Sequence, residues 1–214
     1  MNKDYKTEQE TFWAQEFGDS YIGRNDSKNL ISANISLFSK ALKYCGNVRS
    51  VIEFGSNIGG NLIALKKLYP EQSQYAIEIN LNAADSLIKL LPECTVYKQS
   101  ILDFDPTKVR EGRGVDLVLI KGVLIHIHPE NLNKVYEKLT ALANTFLLVC
   151  EYYNPTPVDI LYRGHKDRLF KRDFAGEILD QNPEFKLVDY GFVYHRDPAF
   201  PQDDITWFLM ERTN

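Results

Sequence analysis

Polar and apolar positions alternate along this chain in two periods. From Ser27 to Cys45, the residues Leu30, Ile31, Ile35, Leu37, Phe38, Ala41, Leu42 and Cys45 keep helical spacing, with Asn34 a polar gap on the same face. Gly46 suits the left-handed cap that ends such a helix. A short strand, Ser50–Phe54, then runs into Gly55, and a helix from Asn61 to Tyr69 stops at Pro70. The pattern repeats: strand Gln74–Ile79, helix Asn82–Leu91 closed by Pro92, strand Thr95–Lys98. The nearly continuous apolar run Val115–Ile120 is what a strand buried on both faces requires. A helix from Pro129 to Asn144, with proline suited to its first turn, leads into a fifth strand, Thr145–Cys150.

The rhythm changes after that. Residues 151–171 are rich in Tyr, Pro and Arg and read as a loop or insertion. A helix over Asp173–Gln181 follows, then two β-rich runs, Phe185–Tyr194 and Ile205–Glu211. They are separated by a turn region with Pro198 and Pro201, so they should pair antiparallel. The order predicts an α/β fold. A doubly wound, Rossmann-like, mostly parallel sheet of seven strands should carry a terminal antiparallel hairpin and helices on both faces. The length of 214 residues fits one domain, 1–214.

Composition narrows the chemistry. Charged residues are 25% of the chain and the net charge is -4, with the most basic stretch confined to Arg163–Arg172. A nucleic-acid partner is not expected. Cys45, Cys94 and Cys150 are odd in number and far apart, which argues against a disulfide framework or a zinc site and for small apolar roles. No His/Asp/Glu cluster has ligand spacing, so no metal is implied. The polar start is neither a signal nor a transit peptide, and no apolar run would span a bilayer. The expected setting is the cytoplasm, with no membrane partner.

The most informative stretch is Glu53-Phe54-Gly55-Ser56-Asn57-Ile58-Gly59-Gly60-Asn61, placed where the first strand hands over to a helix. Ligands of open α/β sheets bind at the carboxyl ends of the strands. Glu78, near the end of the second strand and followed by Ile79, can accept both hydroxyl protons of a ribose. A dinucleotide loop would be G-x-G-x-x-G, to rest a pyrophosphate on backbone N–H groups, and that pattern is missing. The carboxylate of Glu53 instead suits a ligand with an ammonium group. The alternative is a strand-to-helix turn with no ligand. E-x-G-x-x-x-G followed by an acid after strand two resembles the nucleoside-methionine loop of class I S-adenosylmethionine-dependent methyltransferases. In their commoner form a glycine stands where this chain has Asn57. The resemblance implies S-adenosylmethionine as cofactor and S-adenosylhomocysteine as product. Glu53, Gly55, Ser56, Asn57, Gly59, Glu78 and Ile79 would hold the cofactor, joined by Ser100, Ile101 and Lys121. Ser100 either offers its hydroxyl to the adenine edge, with Ile101 packed on the base, or merely ends the third strand. Lys121 either points into the cleft or is a solvated surface group.

Lys121-Gly122-Val123-Leu124-Ile125-His126-Ile127-His128-Pro129 follows strand four and should border both cofactor and acceptor. His126 is the candidate proton acceptor, against a reading as a packed histidine. His128 reads as a helix-start cap.

Two further segments carry a narrower resemblance. They are Phe12-Trp13-x-x-Glu16-Phe17-Gly18-Asp19-x-Tyr21-x-x-Arg24-Asn25, and Asp116-Leu117-Val118-x-x-Lys121-Gly122-Val123-Leu124-Ile125-His126-Ile127-x-Pro129. With the glycine loop, they are similar to the pseudaminic acid biosynthesis-associated methylases over most of the chain. That resemblance implies methyl transfer in bacterial surface-sugar biosynthesis: nonulosonic acid, flagellar glycan or capsule. Phe12, Trp13, Phe17 and Tyr21 are costly to expose. Residues 1–46 therefore read as a helical lid over the cleft, or else as an aromatic helix on the sheet edge. Under the lid reading Tyr21, Arg24 and Asn25 face cofactor or acceptor. The insertion 151–172 supplies Tyr153, Arg163 and Arg168 as a second acceptor wall, and guanidinium forks grip anions. The expected acceptor is therefore a small polar, anionic molecule, a sugar or activated precursor. A solvated basic loop is the alternative for that segment. A nicotinamide-dependent oxidoreductase and a non-catalytic nucleoside-binding or partner module stay open as other functions, as does the oligomeric state.

Overall fold

The computed structural model describes residues 5–15, 17–20 and 28–213. Five parallel strands form the centre: β1 (Ser50–Phe54), β2 (Ser73–Glu78), β3 (Thr95–Lys98), β4 (Val115–Lys121) and β5 (Ala143–Glu151). Two antiparallel strands complete the sheet, β8 (Phe185–Phe192) and β9 (Thr206–Arg212), in the order β3-β2-β1-β4-β5-β9-β8. The seven strands, their mixed direction and the terminal hairpin agree with the sequence pattern.

Helices cover both faces: α1 (Glu8–Ala14), α2 (Lys28–Ala41), α3 (Gly60–Leu68), α4 (Leu81–Leu90), α5 (Pro129–Leu142) and α6 (Phe174–Gln181). The two-faced core explains the continuous apolar run of β4. Val118 and Ile120 pack with Leu139 of α5 and Ile178 of α6, while Leu117 and Leu119 pack with Phe38 of α2 and Leu65 of α3. Period-two side chains of one strand thus serve two cores. Cys45, Cys94 and Cys150 are buried free thiols. No described helix is long and apolar enough to cross a membrane.

One sequence reading is corrected. Most of residues 151–171, read as loop, form a hairpin of β6 (Val158–Tyr162) and β7 (His165–Lys171). Its turn is the dipeptide Arg163-Gly164, with φ of 51° and 87°, and two consecutive positive φ values are what a tight two-residue hairpin turn needs. The strands escape pattern reading because β6 is largely exposed, while among the described side chains of β7 the buried ones are Leu169 and Phe170. Neither strand alternates cleanly. The hairpin stands over the segment after β4, where the ring of Phe170 meets that of His128.

The sheet order reverses beside β1, whose neighbours are β2 and β4. Such a switch point opens a crevice at the carboxyl ends of the strands, and the glycine loop sits there.

Candidate functional site

The loop between β1 and α3 is laced to the end of β2. Gly55 N–H and Ser56 N–H both donate to the Ile77 carbonyl, at 2.9 and 3.1 Å, and Gly59 N–H donates to the Ser56 carbonyl at 2.9 Å. Asn57, in the place of a glycine, adopts φ 47°. Asn is one of the few L-residues that visit the left-handed region at low cost, so the loop keeps its shape without a glycine there. The Asn57 N–H donates to Glu78 Oε2 at 2.7 Å, and Asn80 N–H donates to Glu78 Oε1 at 2.8 Å. Each carboxylate oxygen keeps acceptor capacity for a ligand. Burial pushes the Glu78 carboxyl up, and the backbone donors Asn80, Asn57 and Ile79 work against that shift.

A cavity of about 730 Å³ opens above this loop, within the range of small-molecule sites. Gly55, Ser56, Asn57, Glu78 and Ile79 line it. So do Ser100, Ile101, Lys121, His126 and Arg163. Ser100 Oγ accepts from Leu102 N–H at 3.0 Å, which leaves its own proton to donate. The chain thus brings to one place residues from the ends of β1, β2, β3 and β4, and from the hairpin turn.

Other expected residues lie elsewhere. Gly59 lies outside the lining, and a Cβ there would sit 3.0 Å from Leu87, so this glycine seats α3 against α4. Glu53 is fully buried beneath the loop, accepting from Asn61 Nδ2 at 2.6 Å through Oε1, while Oε2 has no partner. Two residues expected on the substrate side, Arg168 and Tyr153, lie outside the cavity lining. Arg168 turns away from the cavity to pair with Glu8 at 2.9 Å and to stack over Phe12. Tyr153 is 42% exposed and packs beside Phe208, outside the cavity lining. Tyr21, Arg24 and Asn25 lie outside the described residues.

His126 is 8% exposed, with Nδ1 2.6 Å from the Arg168 carbonyl. A carbonyl only accepts, so Nδ1 carries the proton and Nε2 is left as the acceptor nitrogen. Burial lowers its pKa to about 4, against the pull of that carbonyl, so the ring is neutral at physiological pH. It packs against Trp13 and Tyr162, with centroids 4.5 and 5.1 Å away. His128 caps α5, as its position suggested.

Under the cavity lies a buried charged cluster that sequence reading recognised only in part. Glu151, at the end of β5, receives Val123 N–H and Leu124 N–H on Oε1 at 2.9 and 2.8 Å and thereby shapes the turn after β4. Its signal was a carboxylate at the end of a parallel strand, the same signal that marks Glu53 and Glu78. Burial pushes Glu53 up to about 8 and Glu151 up to about 7; Lys121 opposes both shifts, and burial lowers Lys121 itself. Glu53 therefore holds its proton in the folded chain at pH 7 and ionises freely when unfolded. A raised folded pKa favours the native state fully below the unfolded value of 4.5, and that contribution is lost progressively as pH rises from there through about 8. Glu53→Gln, which mimics the protonated acid, should match the wild-type Tm near pH 4, pull ahead of it as pH rises, and exceed it by several degrees at pH 9. A Tm difference that does not change between pH 6 and 9, followed by thermal unfolding, would mean that Glu53 is already ionised beside Lys121.

The N-terminal helix closes one side of the cavity. Gln9 Nε2 donates to the Asp167 carbonyl of the hairpin at 3.0 Å, and Asn80 Nδ2 donates to Asp19 Oδ1 at 2.9 Å. Thr7 and Glu10 form a capping box, and both line the cavity. This T-x-x-E signature was present in the sequence and unused. Gln202, which donates to Asn34 Oδ1 at 3.3 Å, and Asp203 reach the cavity from the β8–β9 connection with no sequence signal.

The seven-stranded sheet, with the glycine loop at its switch point, is a fold that this chain shares with solved S-adenosylmethionine-dependent methyltransferases. No family model matches the sequence, and no curated protein matches it. Solved structures do share the fold. Magnesium protoporphyrin IX methyltransferase from Synechocystis, with bound S-adenosylhomocysteine, aligns at a TM-score of 0.67 and 15% identity over 96% of this chain and 100% of that one. The 1,6-didemethyltoxoflavin-N1-methyltransferase of Burkholderia thailandensis, with 1,6-didemethyltoxoflavin and S-adenosylhomocysteine bound, aligns at 0.69 and 17% identity over 96% and 87%. The plantazolicin methyltransferase BpumL with S-adenosylhomocysteine aligns at 0.65 and 13% identity over 96% and 94%.

Proposed function

We propose that this chain transfers a methyl group from S-adenosylmethionine to a small polar acceptor. The observation that carries the cofactor reading is the use of the loop's N–H groups. Those of Gly55, Ser56, Asn57 and Gly59 are donated within the protein, so they offer no cradle for a pyrophosphate. That disfavours a nicotinamide dinucleotide. Glu78 meanwhile presents a carboxylate to the cavity, suited to a ribose diol. The residues fit the nucleoside: Ile79 and Ile101 offer apolar faces for a base, Ser100 a hydroxyl. The half-satisfied Glu53 and the adjacent Lys121 suit the amino acid end, Glu53 acting through Asn61, which lines the cavity.

The cofactor would supply an electrophilic methyl on a sulfonium, with the neutral thioether of S-adenosylhomocysteine as the leaving group. What the protein adds is alignment and exclusion of water. Trp13 and the hairpin close over the segment 121–128, on the side where the acceptor would approach. His126 Nε2 is the proposed proton acceptor. With a pKa of about 4 it is unprotonated and available across the neutral range, but it is a weak base. It therefore suits an acceptor that loses its proton as the new bond forms. Tyr162 and Arg163 at the cavity rim support a sugar-like acceptor with an anionic group, in line with the sequence resemblance to surface-sugar methylases. Arg168 and Tyr153 give that reading no support.

Calorimetric titration with S-adenosylmethionine, S-adenosylhomocysteine and NADH tests the cofactor. Micromolar binding of the first two and none of NADH is expected. Binding of NADH alone would replace this reading with an oxidoreductase, and binding of none would leave a partner module.

A further inference from the structure

We propose that Glu10, on the N-terminal helix, is the carboxylate that reads the adenine of the bound nucleoside, accepting its exocyclic amino N–H on Oε1. This rests on the cofactor reading above and extends it to a residue far from the glycine loop in sequence.

Glu10 is 7% exposed and lines the cavity. Its two oxygens are unequally used. Oε2 accepts from Thr7 N–H at 2.9 Å and closes the capping box, whereas Oε1 is buried with no hydrogen-bond partner. A buried carboxylate oxygen left unpaired is costly, so a ligand that donates to it is favoured there. Contacts on either side of Glu10 place it. Glu10 and Trp13 are i and i+3 neighbours on α1, and Lys6 lies just before the Thr7 N-cap. Lys6 pairs with Asp103, three residues past Ser100 in the turn after β3. At the other end, the Trp13 carbonyl accepts from Asn80 Nδ2 at 3.4 Å, two residues past Glu78, and its ring lies on His126. Glu10 is therefore suspended between the ends of β3 and β2. A nucleoside whose ribose is held by Glu78 has its base in that interval, against Ile79 and Ile101.

The hydrogen-bond pattern matches the base edge. Adenine offers an exocyclic amine that donates and a ring nitrogen that accepts. Glu10 Oε1 can only accept, and the Ser100 hydroxyl has its proton free to donate because Oγ already accepts from Leu102 N–H. Hypoxanthine reverses this edge: its 6-carbonyl accepts and its N1–H donates. A carboxylate facing that carbonyl is repelled. The arrangement also makes base recognition depend on the N-terminal helix being docked, since Glu10 travels with it.

The test is calorimetric binding of S-adenosylhomocysteine and S-inosylhomocysteine to the full chain, as wild type, Glu10→Gln and Glu10→Ala. Wild type should prefer the adenine form by roughly 10- to 100-fold, the worth of a charge-assisted hydrogen bond. Glutamine preserves the cap through its carbonyl, because the Thr7 N–H needs an acceptor. Its amide nitrogen then points where Oε1 stood, where a donor meets the adenine amine but complements the 6-carbonyl. The preference should fall at least tenfold or invert in Glu10→Gln and shrink in Glu10→Ala. A preference unchanged in both variants overturns the proposal, as does an equal loss of both ligands, which would mark Glu10 as purely structural. Failure of wild type to bind either ligand would instead sink the cofactor reading, and this proposal with it.

Discussion

Glu78→Ala is expected to weaken S-adenosylhomocysteine binding by about 100-fold or more, with a loss of native stability on top. Two hydrogen bonds from ribose hydroxyls to an ionised carboxylate are together worth about 3 kcal/mol at the lower end of their range, which is roughly that factor. The stability effect has a separate cause. The Asn57 and Asn80 N–H groups each end on a different oxygen of Glu78. Removing the carboxylate strands both donors in a closed place, at about 1–3 kcal/mol each. Glu78→Gln keeps one oxygen and should sit between wild type and alanine in both measurements. Calorimetry with S-adenosylhomocysteine and a thermal melt separate the two effects. An affinity within threefold of wild type would show that the ribose lies elsewhere, whatever the melt reports.

Gly55→Ala should be damaging out of proportion to one methyl group. Gly55 has φ 73°, and a Cβ built there meets Val123 Cγ2 at 2.5 Å and Cγ1 at 3.2 Å. The left-handed conformation costs an L-residue about 1–2 kcal/mol before any contact is counted. Val123 cannot move aside cheaply. It is stiff at χ1, and its N–H is held by Glu151 Oε1. A total loss of about 2–4 kcal/mol follows, or a Tm lower by roughly 5–15 °C for a domain of this size. Because the methyl drives apart the two segments that frame the cavity, cofactor affinity should also fall at least tenfold. A melt within 2 °C of wild type would mean that the loop after β1 and the turn after β4 can separate without cost.

The two variants probe different levels of legibility. The site of Glu78 was readable because a parallel sheet sends every strand's carboxyl end to the same edge. Once the strands were placed, Glu53, Gly55, Glu78, Ser100 and Lys121 had to lie near one another. The clash at Gly55 was not readable. It depends on Val123, sixty-eight residues away in the chain (123 − 55), being tucked under the loop by a carboxylate from β5. Arg168 shows the same limit from the other side. A guanidinium in a basic, aromatic stretch looked like an anion clamp, but in the folded chain it pairs with Glu8 and stacks over Phe12. Glu10 had a clear local signal as a capping residue, and nothing in that signal distinguished its bonded oxygen from its unpaired one.

The sequence by itself determined the alternating order of strands and helices, the doubly buried sheet, the switch-point loop and the acid that faces it. These follow from burial periodicity and from backbone preferences, which act over a few residues and leave their mark in the pattern. Only the tertiary structure decided which side chains enter the cavity, that the 151–171 segment is a hairpin, and which carboxyls keep their protons. Those depend on how far-separated segments meet in a medium of low polarity. The energy of a polar group there is set by its partners, and its neighbours in the chain do not specify them.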